Sequence, residues 1–209
     1  MEENGASGGG GRFPVTTFFN LCNVNVVASM SRVVVIIGVL FGWLGVVSKM
    51  TASAQNEQSL MSEMRESVFK LDPATIGISP SNYSGHVWGM IFETGIEREA
   101  YSLVVLADGT TSLYFSTGGG IIGAGEHSNV RTASKNLLLK ANDAIGRSTF
   151  TQAHPLPYDG TSVFYFLTFD GTRFYSAPES RLGNGQDKLS PLFHASHEVI
   201  SELRAIKPD

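Results

Sequence analysis

The chain has 209 residues, 42% hydrophobic and 16% charged, which is enough apolar material for one folded domain and too much for general disorder. Its net charge is −4 and no two Lys or Arg are adjacent, which excludes the basic stripe that nucleic-acid binding requires. The single cysteine, Cys22, lies upstream of the folding pattern, which excludes a disulfide framework or a cysteine-ligated zinc there.

Residues 1–29 open on a polar stretch with Gly8 to Gly11 in a row and read as disorder or as an over-extended start. Residues 30–55 read as a signal peptide or membrane anchor. Met30 and Arg32 precede the apolar run Val33–Val47, and Ala52-Ser53-Ala54 supplies an A-x-A site. The run is roughly 15 residues long, short of the roughly 20 a spanning helix needs and within the range of a signal core. Export, with cleavage after Ala54 or retention as an anchor, is one reading. A cytoplasmic protein whose true start is Met50 or Met61 is another. A membrane role would run only through residues 33–47, if uncleaved.

Residues 56–209 form a single α+β domain by pattern. Leu60, Met61, Met64, Val68 and Leu71 share a helical face, and Asp72-Pro73 ends that helix. The period then becomes two: strands are predicted over 86–94, 101–107 and 111–117, with Asp108-Gly109 as a hairpin turn. A helix over 126–145 carries the apolar stripe Val130, Ala133, Leu137, Leu138, Ala141 and Ile145. Strands are predicted again over 148–153, 162–169 and 172–177, the last two joined by Asp170-Gly171. Ser190-Pro191 starts a final helix reaching about Ile206. The order is α-βββ-α-βββ-α: an antiparallel sheet of two βββ units with helices packed on one face. The two Asp-Gly-Thr hairpins are explained equally by duplication or by a common turn.

This order resembles the roadblock, longin and profilin-like domains in topology. Ser116-Thr117-Gly118-Gly119-Gly120-Ile121-Ile122-Gly123-Ala124-Gly125-Glu126-His127 resembles a turn found in small bacterial proteins without an assigned activity. Neither resemblance transfers a functional residue.

The glycine segment is the first place where chemistry could sit. Gly118, Gly120 and Gly123 match the dinucleotide fingerprint in spacing, although the preceding strand is half of a hairpin. Backbone N–H groups around Gly118, Gly119, Gly120, Gly123 and Gly125, ahead of a helix start, could hold an anion, with Glu126 and His127 beside them. The structural alternative is that the glycines let backbones approach closely. The second place is His194 and His197, on one helical face and able to share a metal, with His127 or Glu126 as a third ligand. No Gly-x-Ser-x-Gly elbow is present within residues 56–209, and Asp108, Asp159 and Asp170 each precede glycine as turn residues. The sequence implies no cofactor and no catalytic residue.

Two functions follow. One is a non-enzymatic binding or scaffold domain that self-associates through a sheet edge or helix face, as a homodimer or with a protein partner. The other is a small-molecule or anion binder, or an enzyme, centred on residues 118–125 and His127.

Overall fold

A computed structural model describes residues 43–206. Residues 1–42, which carry the reading of 1–29 and the first part of the Val33–Val47 run, lie outside the described residues, and the end of that run falls within the first helix. No helix of the described residues is long and apolar enough to cross a membrane.

Helix α1 spans Trp43–Phe69. It runs without proline through Ala52-Ser53-Ala54 and into the stretch expected to be helical from Ser59. A single 3₁₀ turn, Pro73–Ile76, follows, capped by Asp72, whose carboxylate accepts the Ala74 N–H at 2.9 Å. The strands are β1 (Val87–Ile96), β2 (Glu99–Leu106), β3 (Thr111–Phe115), β4 (Gly120–Ile121), β5 (Thr149–Phe150), β6 (Thr161–Thr168) and β7 (Gly171–Pro178). Helix α2 is Ser128–Ala144, α3 is Glu179–Gly183 and α4 is Ser190–Ala205. The strands form one antiparallel sheet in the order β4-β3-β2-β1-β6-β7-β5. The α+β class and the antiparallel pairing follow the expectation from the sequence.

Strands β1 and β6 lie at the centre, and their register places Phe92 opposite Leu103 on one side and Phe164 on the other. One sheet face carries Met90, Phe92, Leu103, Phe164 and Phe166 against α2 and α4. Phe92, Phe164 and Phe166 are fully buried, each contributing about 1.5–3 kcal/mol. The opposite face carries Ile91, Val104, Tyr165 and Leu167 against Met61 and Val68 of α1.

The helices therefore occupy both faces of the sheet, where one had been expected. The reason is legible in β1 and β6, which are buried at nearly every position. A strand apolar on both sides needs cover on both sides.

The two strand triplets also differ. β1 pairs with β2 in a meander, whereas β5 skips β6 and pairs with β7, so the hairpins do not head equivalent units. Two elements had no sequence expectation: β4, folded out of the glycine segment, and α3, held by the fully buried Leu182.

Candidate functional site

The glycine segment folds as a tight return from β3 into β4. The Phe115 N–H donates to the Gly119 carbonyl at 3.2 Å, and Gly120 and Ile121 pair with Tyr114 and Leu113. Gly118, Gly119 and Gly123 all have positive φ, of 105°, 79° and 70°. Two glycines are required by close approach. A Cβ on Gly120 would collide with the Leu113 carbonyl oxygen, and one on Gly125 with the Gly109 carbonyl oxygen. The segment is thus cemented onto β3 and onto the Asp108-Gly109 turn. The antiparallel β3–β4 pairing is not the parallel βαβ frame that a dinucleotide fingerprint requires.

Glu126 and His127 are exposed. Glu126 reaches back to Arg131 at 3.4 Å, and Arg131 Nε donates to the Gly125 carbonyl at 2.9 Å. His127 sits at the N-cap of α2 without a side-chain capping bond.

His194 and His197 separate by environment. His194 is exposed, whereas the His197 ring lies 4.4 Å from Phe193, 5.6 Å from Phe92 and 6.5 Å from Tyr101. Burial, reinforced by the neighbouring His194, lowers the His197 pKa to about 4. Although α2 and α4 pack together, no three His, Cys, Asp or Glu among the described residues come together as a metal site.

A polar constellation that the sequence reading passed over lies under α1. Arg65 donates to Glu93 through Nε at 2.6 Å and through Nη2 at 2.9 Å. Ser102 adds a third bond to the Glu93 carboxylate at 2.6 Å, and Arg65 Nη2 also reaches the His154 carbonyl at 2.7 Å. Glu93 is fully buried in the middle of β1. His154 stacks on Phe69 with ring centroids 3.9 Å apart, and burial lowers its pKa. Both Glu93 oxygens and all three Arg65 guanidinium nitrogens are bonded within the protein, while the buried His154 Nε2 has no hydrogen-bond partner, so the Arg65–Glu93 pair fastens α1 and the 154–155 loop to the sheet.

The open surface is elsewhere, at the Ile96 end of β1. A cleft of about 560 Å³ lies between the β1–β2 turn and the segment leading into β6, lined by Glu97, Arg98, Glu99, Leu156, Tyr158 and Asp159. Of the glycine segment's neighbourhood it reaches only Ser116 and Thr117; Glu126, His127, His194 and His197 do not line it. Glu97 is the only non-glycine residue with positive φ among the described residues, at 57°, a strain of about 1 kcal/mol or more. Asp159 holds that turn by accepting the Glu97 N–H at 2.6 Å, and it bridges to Gly95. Glu179, whose N–H donates to Gly160, has its carboxyl pKa raised by burial and by the nearby Asp159. Tyr158 is 87% exposed and Leu156 45%, so the cleft has an apolar lip beside charges of both signs.

No protein-family model matches the chain, and no curated protein or solved structure matches it.

Proposed function

We propose that this is a non-enzymatic binding domain that self-associates, and that the cleft at the β1–β2 turn is its contact surface. The observation that carries this reading is the tyrosine at 158, almost fully exposed on a loop held down by the backbone pairing of Asp159 with Gly95. A rigid, exposed aromatic is the kind of anchor that dominates protein interfaces. Around it, Arg98 faces the same cleft as Glu97, Glu99 and Asp159. A patch of mixed sign is self-complementary under a two-fold axis, since each copy can offer its arginine to the other's carboxylates. Sheet-edge pairing is less suited to the task, because both edge strands, β4 and β5, are only two residues long.

A binder centred on Gly118–Gly125 receives less support. Its glycines are packed on backbone, and its titratable neighbours do not converge on a cavity. Light scattering of the full chain across a concentration series tests the proposal. We expect a mass that rises toward the dimer, and a monomer at all concentrations for the Leu156→Ser, Tyr158→Ser double variant. A monomeric wild type, or a dimer indifferent to the substitutions, would refute it.

A further inference from the structure

At the opposite end of β1 a second cleft, of about 260 Å³, is walled by His86, Ile145, Phe150, Phe169, Asp170 and Arg173. Its chemistry is set by Arg173 on β7. The guanidinium lies over the Phe150 ring, 4.2 Å from the centroid. Nε donates to Ser148 Oγ at 3.0 Å and Nη2 to the Ser148 carbonyl at 2.6 Å. Ser148 is itself buried, and its hydroxyl donates to the Ile145 carbonyl at 2.6 Å. One edge of the guanidinium is therefore clamped and its plane fixed by stacking. Of an arginine's five N–H bonds, the structure occupies two. Among the described residues the outer edge, Nη1 with the second Nη2 hydrogen, has no protein acceptor and Arg173 forms no ion pair.

From this we infer that the cleft binds a small aromatic monocarboxylate, the carboxylate taking the outer edge of Arg173 as a two-pronged acceptor and the ring lying against Phe150, Phe169 and Ile145. A fixed fork of two parallel donors matches a carboxylate, and its immobilisation lowers the ordering cost of binding. Two features argue against a phosphate dianion. Asp170 contributes a negative charge to the same wall, and Ile145 and Gly146 bring the negative end of α2 to it. The volume lies just below the roughly 300–1,000 Å³ of drug-sized pockets, which suits one ring and excludes a nucleotide. His86 and Asp170 at the wall suit an amino or hydroxyl substituent on that ring's side chain.

The test is a titration of the isotope-labelled full chain with benzoate, with L-phenylalanine, and with inorganic phosphate, followed by amide and Arg173 Nε–H shifts. The inference expects saturable shifts for benzoate or L-phenylalanine, centred on Gly146, Phe150, Asp170 and the Arg173 Nε–H. It expects binding at least about tenfold weaker in Arg173→Lys, which keeps the charge and loses the fork. It is overturned by the absence of saturable shifts in the wild type, by shifts centred elsewhere, by phosphate binding as tightly as the carboxylates, or by Arg173→Lys binding equally well. Should Arg173→Lys fail to fold, the wild-type shift map and the ranking of the three probes decide the matter.

Discussion

Gly120 and Gly125 each occupy a point where one more carbon would meet a carbonyl oxygen, which makes a structural role for the glycine segment testable residue by residue. Gly120→Ala and Gly125→Ala should lower the unfolding free energy by more than about 1 kcal/mol, since the neighbouring backbone has to move. Gly123→Ala meets open space and carries only the strain of its φ, about 1 kcal/mol. Chemical denaturation of the three variants checks the order, and a near-neutral Gly120→Ala and Gly125→Ala pair would return the segment to the list of ligand sites. His197 supplies a second test. Its folded pKa, near 4, lies below its ordinary value, near 6.5. The unfolded chain therefore takes up the proton first as pH falls, and the folded state loses stability between about 6.5 and 4, by up to about 3 kcal/mol. Above that window the residue contributes no pH dependence. His197→Phe should flatten this part of the stability–pH curve relative to wild type in urea melts at stepped pH; parallel curves would contradict the burial argument. The sequence marked His197 by its spacing to His194, but spacing could not say that three aromatic rings surround it.

Among the elements, the attachment of α1 rests on a charge pair in an apolar setting. Glu93 is the one carboxylate within the run Val87–Thr94, and Arg65 falls between Met61 and Val68 on the buried face of α1. Both irregularities were legible: a charge interrupting an apolar strand and a charge on the apolar stripe of the helix before it. Recognising them as one pair required knowing that α1 crosses the face of β1 opposite to α2, which depends on long-range packing. Arg65→Ala leaves the Glu93 carboxylate buried without its cation and should cost about 3–5 kcal/mol. The joint replacement Arg65→Met, Glu93→Leu should recover most of that loss, since it removes both charges. A double-mutant cycle by denaturation measures it, and additive losses would show that the pair is not coupled. The hairpins at Asp108-Gly109 and Asp170-Gly171 and the stripes of α2 and α4 were readable because turn chemistry and periodicity are local. The partnering of β5 with β7 was not, because a two-residue strand carries no period.

For the whole molecule, the two ends of β1 carry different surfaces. One holds the clamped Arg173 beside Phe150; the other holds the strained Glu97 turn, Leu156 and Tyr158. Neither cleft was visible in the sequence. Leu156 and Tyr158 sit in a stretch with no helical or strand period, and the pairing of Gly95 with Asp159, together with the bond from the Glu97 N–H to the Asp159 carboxylate, brings that stretch to the β1–β2 turn. The residues singled out by sequence, Gly118 to Gly125, Glu126 and His127, build the β3–β4–α2 corner and touch this surface only through the preceding Ser116 and Thr117. Hydrogen–deuterium exchange of the full chain at low and high protein concentration reports on self-association through the cleft. We expect added protection at high concentration over Glu97–Ala100 and 156–160, with β4 and β5 unchanged. Protection that does not depend on concentration, or that appears on the edge strands instead, would contradict it.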